Sequence, residues 1–337
     1  MAGQNFITSK GIMRKWLIGS LLVVGLVVIA FEVSPRPSVL IVRAIFDRGA
    51  EKASRKLESH VPASVVTVTL RYDEADPNAT LDIHQVPAVA ATGPTIVWIH
   101  GGGFVSGRRS DITNYAKVLA GEGFTVVNLD YTIAPEAHYP QPIRQVNKAL
   151  AFLTGNGKRL GIDADRLVLA GDSAGAQIAA QSAAVISNPA YGQLLGVRPG
   201  VHPDQLAGVL LYCGIYDISG IGKNGGILGW FVASAGWAYS GKRNWREDAQ
   251  FQTMSVAAHL TSTFPPAFVS AGNADPLGPQ SEELTHALVS AGIPVEALLF
   301  PADYEPPLRH EYQFDLDGAA GKLALQRSVE WLRRLRR

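Results

Sequence analysis

The chain has too little cysteine to brace itself covalently. One cysteine, Cys213, stands among 337 residues, which excludes an internal disulfide framework and a cysteine-built zinc cluster, and leaves the redox compartment unread. Charge of one sign is also missing: 30 basic against 29 acidic side chains leave a formal +1. No global field gathers nucleic acid or polyanions, so no nucleic-acid partner is expected and any ligand must be recognised locally. At the glycine run of WIHGGGFVSG, neither phosphate-loop pattern, G-x-x-x-x-G-K-[ST] or a G-x-G-x-x-G that opens a strand-helix-strand unit, is present. His84, His138, His202 and His259 have no companions at metal-ligand spacing. Neither a metal nor an organic cofactor is therefore expected. Internal repeats and low-complexity segments are absent too. Apolar residues, at 47%, and 34 glycines are abundant, enough for one large α/β domain with additions.

Charge disappears altogether from Trp16 to Phe31, WLIGSLLVVGLVVIAF, just after Lys10, Arg14 and Lys15. With Ile12 and Val33 as flanks, the run reaches the roughly 17–25 residues that cross a hydrocarbon core. An uncleaved anchor, a cleaved signal segment and a buried or interfacial helix all fit. The anchor is preferred because VIAFEVSP offers no small-x-small cleavage site and the run is long for a removable core. Membrane lipid is accordingly an expected partner. Arg36, Arg43 and Arg48 follow the run about as closely as the basic residues precede it, which nearly balances the positive-inside rule. The orientation preferred here keeps the short tail inside and carries the large domain outward, to an extracytoplasmic location. Residues 1–35 are thus read as tail and membrane segment. Residues 36–63, with Leu40, Val42, Ile45 and Phe46 at helical spacing, are read as an amphipathic helix that packs on the main domain in preference to lying in the membrane interface.

From Ser64 to the C-terminus, strand-like and helix-like segments alternate, the pattern of a mostly parallel sheet with helices on both faces. SVVTVTLRYD and LDIHQV suit an antiparallel opening pair. TIVWIH, TVVNLDY, LVLAGD, GVLLYCG, AFVSAG and EALLF are short apolar runs that suit a doubly covered sheet. Helical stretches between them include Pro142 to Leu153, QSEELTHALVSAG and the terminal LALQRSVEWLRRL. The Arg333, Arg334, Arg336 and Arg337 cluster reads as a solvated last turn that complements the helix dipole.

In GDSAG, Gly171 and Gly175 flank Ser173 where a strand meets a helix. So tight a turn strains the central residue and pushes its hydroxyl out at the C-terminal rim of the sheet, beside the free amides of a helix N-terminus. A second loop, WIHGGGFVSG, sets Gly101, Gly102 and Gly103 after another core strand, where successive N–H groups can turn toward a reacting carbonyl. His100 reads as a brace for that loop. A serine nucleophile needs a base, and the base needs a carboxylate. FVSAGNADPL places Asp275 just after a later core strand, and FPADYEPPLRHEYQF places His310 after the next. The order Ser, Asp, His is the one described for α/β-hydrolases.

HGGGF (His100 to Phe104), DYTIAPEAHYP (Asp130 to Pro140), GDSAG and GNADPL (Gly272 to Leu277) stand in the order and at the spacing found in hormone-sensitive lipase-like esterases. The chain resembles that α/β-hydrolase family from about Leu81 onward. The resemblance implies Ser173 as nucleophile, His310 as base, Asp275 as acid, and an oxyanion hole of the Gly102, Gly103 and Ala174 amides. It further implies a helical cap made of the N-terminal helices and an insertion at about 218–264 within a hydrolase domain of residues 64–337. One departure is HEYQF, which sets Glu311 beside His310 where the family has a small residue; Glu311 is read as tuning the imidazole or touching the substrate. Asp172, Glu136 and His286 read as structural, and Trp230, Phe231 and Trp237 as cap packing or, second, as an acyl-pocket wall.

The function expected is a serine carboxylesterase that hydrolyses small-molecule esters of short to medium acyl chain through an acyl-enzyme. An amidase or peptidase with the same triad is the alternative within enzymes. A ligand-binding protein on a hydrolase scaffold is the alternative outside them, and the presence of His310 argues against it. Natural substrate and oligomeric state are not legible.

Overall fold

The computed structural model describes residues 5–87, 93–223 and 225–335. Arg336 and Arg337 lie outside the described residues. The expected strands form one eight-stranded sheet: β1 (Val66–Arg71), β2 (Thr80–Gln85), β3 (Thr95–Ile99), β4 (Thr125–Leu129), β5 (Leu167–Asp172), β6 (Leu206–Tyr212), β7 (Ala267–Ala271) and β8 (Val295–Leu299). Their order is β1-β2-β4-β3-β5-β6-β7-β8. The pairs β1–β2 and β2–β4 are antiparallel, and every later pair is parallel. Ten α-helices are described: α1 (Asn5–Val33), α2 (Arg36–Leu57), α3 (Arg109–Gly121), α4 (Gln141–Leu160), α5 (Ala174–Ser187), α6 (Pro189–Leu195), α7 (Gly226–Ser240), α8 (Ala249–Gln252), α9 (Gly278–Ser290) and α10 (Ala319–Arg334).

Strand periodicity sorts the core into two layers. Ile96, Trp98, Val126, Val168, Leu210 and Phe268 face α3 and α10 in one apolar cluster. Their neighbours Val97, Ile99, Val127, Leu169, Val209 and Val269 face the other way, into the cluster that holds α4 and α5. Successive side chains on a strand point to opposite faces, so continuous apolar runs bury both. Every residue of α5 is buried; its alanines, glycine and serines let it lie close against β5 and β6.

The helix read over 36–63 is α2, but its faces differ from the expected ones. Val39, Val42 and Leu57 are buried and Phe46 is half-buried, whereas Leu40 and Ile45 point outward. Packing explains the difference. Phe46 meets Phe231 of α7 with ring centroids 5.2 Å apart. Arg43, on the same side, donates from Nε to the Val105 carbonyl at 2.6 Å and pairs with Glu136. Glu136 is therefore a structural anchor, as read, and what it anchors is α2. Helix α1 contains Met13–Val33, with mean hydropathy 2.4 and none of it buried. At the other end, Arg333 and Arg334 are not simply solvated: they pair with Glu122, just after α3, and with Glu296 of β8, because α10 packs on the same sheet face as α3.

Candidate active site

Three parallel strands deliver the expected residues to one rim. Between the end of β5 at Asp172 and the start of α5 at Ala174, Ser173 stands alone with φ 51° and ψ −119°. For a residue with a Cβ this conformation costs about 1–3 kcal/mol and persists only where the surroundings impose it. They do so here. A Cβ on Gly171 would come within 2.5 Å of the Gly175 backbone, and one on Gly175 within 2.0 Å of the Ile99 carbonyl oxygen. The strand, the helix and β3 thus approach so closely that only glycine fits on either side of the serine. The Ser173 N–H donates to the Tyr212 carbonyl at 2.8 Å, which fixes the turn against β6.

Asp275 and His310 follow β7 and β8 on loops that are stitched together. Asn273 Oδ1 accepts from the Leu308 N–H at 2.8 Å, and the Ala274 N–H donates to the Leu308 carbonyl at 2.9 Å. The Asp275 side chain is completely buried. Its Oδ1 accepts from the Leu277 N–H at 2.8 Å, and its Oδ2 lies 2.9 Å from His310 Nδ1. A buried carboxylate at that distance keeps the proton on Nδ1, so Nε2 is free to accept. Nε2 lies 3.0 Å from the Ser173 hydroxyl oxygen. Residues 137 and 35 positions apart in sequence are thereby joined in one hydrogen-bonded relay. Burial opposes a charged imidazole, but the hydrogen bond to Asp275 and the Glu311 carboxylate favour it, and His310 is held above the usual histidine range. Glu311, itself at φ 62°, has a carboxylate oxygen 3.8 Å from Nε2.

The glycine loop after β3 supplies donors. Gly102 sits at φ 112°, a conformation closed to residues with side chains, and a Cβ there would meet the Ser106 carbonyl oxygen at 2.1 Å. Among the described residues, the N–H groups of Gly102, Gly103 and Ala174 have no hydrogen-bond acceptor. Ala174 is the first residue of α5, where helix N–H groups are unpaired by construction. Asp172 holds the loop: its Oδ2 accepts from the Gly101 N–H at 2.9 Å and its Oδ1 from the Trp98 indole at 2.8 Å. Burial, reinforced by Glu311, pushes this carboxyl up to about 8. His100 is a brace, as read. Its Nδ1 donates to the Gly101 carbonyl at 2.8 Å, its own carbonyl accepts from the Tyr131 hydroxyl at 3.0 Å, and its ring stacks on Tyr131. Burial holds its pKa down, which keeps it neutral.

Over these groups lies a cavity of about 570 Å³, lined from below by Ser173, His310 and the glycine loop and from above by α2 and α7. Asp111, Asp172 and Glu311 are its acidic lining, and among the described residues no lysine or arginine lines it. Burial pushes Asp111 up to about 6. Beyond Gly103 and Phe231 lies a second, apolar space of about 40 Å³ that reaches Trp245 and Met254. Phe231 belongs to both walls, so it is more than packing. Trp230 is not packing either, being 39% exposed; it lies on the side of α7 away from the core. Trp237 is half-buried under the Arg243 guanidinium, 5.4 Å from its centroid. His286 is on the surface.

Sequence reasoning passed over Cys213. Its sulfur, an Asp275 oxygen and a His310 nitrogen lie within 4.8 Å of one another, a set able to chelate a soft cation only if His310 gave up its present partners. Burial pushes the Cys213 thiol up, so it is neutral and stands as a wall behind the imidazole. The signal available was its place just past the end of β6, next to the strand that delivers Ser173. His84 is a core residue between Thr67 and Asn128, and His138 donates from Nδ1 to the Ala238 carbonyl of α7 at 2.9 Å.

Comparison with known proteins agrees with this fold. The BD-FAE family profile matches residues 81–288. Among similar solved structures, esterase B from Lactobacillus rhamnosis HN001 is 26% identical, with a TM-score of 0.75 over 89% of this chain and 96% of that one. A bacterial heroin esterase is 23% identical, with a TM-score of 0.71 over 88% and 91%. A hyperthermophilic esterase from the archaeon Pyrobaculum calidifontis is 21% identical, with a TM-score of 0.69 over 93% and 97%; the last two likenesses speak for the fold.

Proposed function

The chain belongs to the BD-FAE family of hormone-sensitive lipase-like α/β-hydrolases, and from that premise we propose that it is a serine carboxylesterase for esters of short to medium acyl chain. The observation that carries the reading is the relay from Asp275 through His310 to the Ser173 hydroxyl, at 2.9 and 3.0 Å. In this reading His310 takes the serine proton as Ser173 attacks the ester carbonyl. The tetrahedral oxyanion is received by the Gly102, Gly103 and Ala174 amides, whose direction is fixed before the reaction and costs no reorganisation. His310 then protonates the departing alkoxide, and water repeats the sequence on the acyl-enzyme. Asp275, buried beside Nδ1, keeps the tautomer and stabilises the imidazolium.

Acyl length follows from the space beyond Gly103. A short acyl group lies against Phe231, past which only a small apolar space of about 40 Å³ remains. The alcohol part takes the larger cavity. Helix α2 and residues 218–264 act as its cap, and Met13–Val33 anchors the protein in a membrane with lipid around it.

The test is a series of 4-nitrophenyl esters from acetate to laurate, with Ser173→Ala beside the wild type. Activity is expected to peak at short chains, and the alanine variant to lose at least about 10⁴-fold in kcat/KM. A wild type that hydrolyses none of them, or an alanine variant that matches it, contradicts the proposal.

A further inference from the structure

We infer that the mouth of the Ser173 cavity faces the bilayer surface, so that the protein's substrates include esters of lipophilic alcohols drawn from the membrane and not from water. The inference rests on the esterase reading above and deepens it.

The mouth is identified by residues that line the cavity yet remain open to the outside. Ile45 of α2 and Ile227 and Leu228 of α7 all line it, and they are 60%, 87% and 40% exposed. The rim is therefore apolar on both sides. Large apolar side chains at that exposure are unfavourable in water unless something covers them.

The same apolar surface runs back along α2. Leu40, Ile41, Ala44 and Ile45 are all exposed and occupy the face opposite the one packed through Val39, Val42 and Phe46. Exposed Arg36 and Arg48 bracket the patch. An apolar strip between cations is the pattern of a helix lying in a headgroup layer, where the strip sinks about 5–10 Å and the cations meet phosphates.

What covers it is given by the chain itself. Two residues, Ser34 and Pro35, separate the exposed span Met13–Val33 from α2, which begins at Arg36. Arg43 ties α2 to the glycine-loop region, as described above. Arg243, just beyond α7, donates to the Glu32 carbonyl at 2.8 Å and pairs with the Glu32 carboxylate, which fixes the end of the span to the other half of the cap. At 1.5 Å per residue, Ile45 lies roughly 14 Å along the helix from Arg36. A span that crosses the hydrocarbon therefore delivers α2 at the headgroups, and laying its open face on them places the rim at the surface. Standing α2 upright would instead leave the strip uncovered. Lipophilic esters enriched in the bilayer then reach the cavity without passing through water, where they are scarce.

The full chain, reconstituted in vesicles of diether phosphatidylcholine, a lipid without ester bonds, provides the test. Two acetates are offered: 4-nitrophenyl acetate from the aqueous phase and hexadecyl acetate dissolved in the bilayer. In Leu40→Glu/Ile41→Glu, both altered side chains lie outside the cavity lining. Hydrolysis of hexadecyl acetate is expected to fall by at least about tenfold while 4-nitrophenyl acetate stays within about twofold of wild type. Both rates unchanged, or a wild type active on 4-nitrophenyl acetate alone, overturns the inference. A wild type inactive on both overturns the esterase reading instead. If both rates fall together, a second measurement decides. Cys213 is the sole cysteine and is buried, so Ile227→Cys provides one accessible thiol for a fluorophore. Quenching by a nitroxide carried on lipid acyl chains is expected there and not at Leu194→Cys, an exposed site on α6. Equal quenching at the two sites, or none at Ile227, overturns the inference.

Discussion

His310 is flanked by two carboxylates that do different work. Asp275, with no exposed side-chain surface, is hydrogen-bonded to Nδ1, whereas Glu311 is partly exposed and faces Nε2 from 3.8 Å without a hydrogen bond. Only the neutral imidazole accepts the serine proton, so the acidic limb of the pH profile follows the pKa of His310. Glu311 stabilises the charged imidazole and so raises that pKa. Glu311→Gln removes this stabilisation, and the acidic limb of kcat/KM is expected to move to lower pH. The interaction of two charges at that separation in a water-like dielectric is about 1 kcal/mol, or somewhat under about one pH unit. Rates on the alkaline plateau should change little. A pH profile of the glutamine variant checks this; a limb that stays in place, or moves upward, shows that Glu311 does not act on the imidazole.

At the scale of elements, the strands and the elbow could be read because they obey strict local rules. Buried parallel strands are short apolar runs, and a strand that turns into a helix within one residue needs Gly171 and Gly175, whose Cβ atoms would strike backbone. Asp275 and His310 were legible for a related reason: each comes directly after such a run. Faces within the cap were not legible. Leu40 and Ile45 fit the apolar stripe of α2 by spacing, yet the buried side is chosen by Phe46 against Phe231 and by Arg43 on Glu136, contacts made across gaps in sequence of about ninety residues or more. Trp230 and Phe231 are neighbours of one type, and only the packing of α7 decides that one is exposed and the other divides two cavities. Phe231→Ala is expected to join those cavities and extend the accepted acyl chain. The ratio of kcat/KM for 4-nitrophenyl octanoate to that for the acetate should rise by about tenfold, in line with the 1–3 kcal/mol that methylene-scale pocket changes are worth. An unaltered chain-length series places the acyl group elsewhere.

For the molecule as a whole, the sheet brings the ends of β3, β5, β7 and β8 to one edge, and α2 and α7 lie over that edge. Chain order, strand order and the motif spacing agree on this arrangement because in a parallel sheet each loop after a strand emerges on the same side. The long apolar helix α1 was readable from its lack of charge, but its attachment through Glu32 and Arg243 was not, since an exposed ion pair has no periodic signature. All of this organises one claim: Ser173, His310 and Asp275 act together on a single acyl group. The most direct measurement is reaction of the full chain with a 4-nitrophenyl alkylphosphonate, which counts nitrophenolate released per chain and locates the adduct by mass spectrometry. The account predicts one equivalent released and the phosphonyl group on Ser173, with labelling slowed severely in His310→Ala. Labelling of another residue, or a rate indifferent to His310, would contradict it.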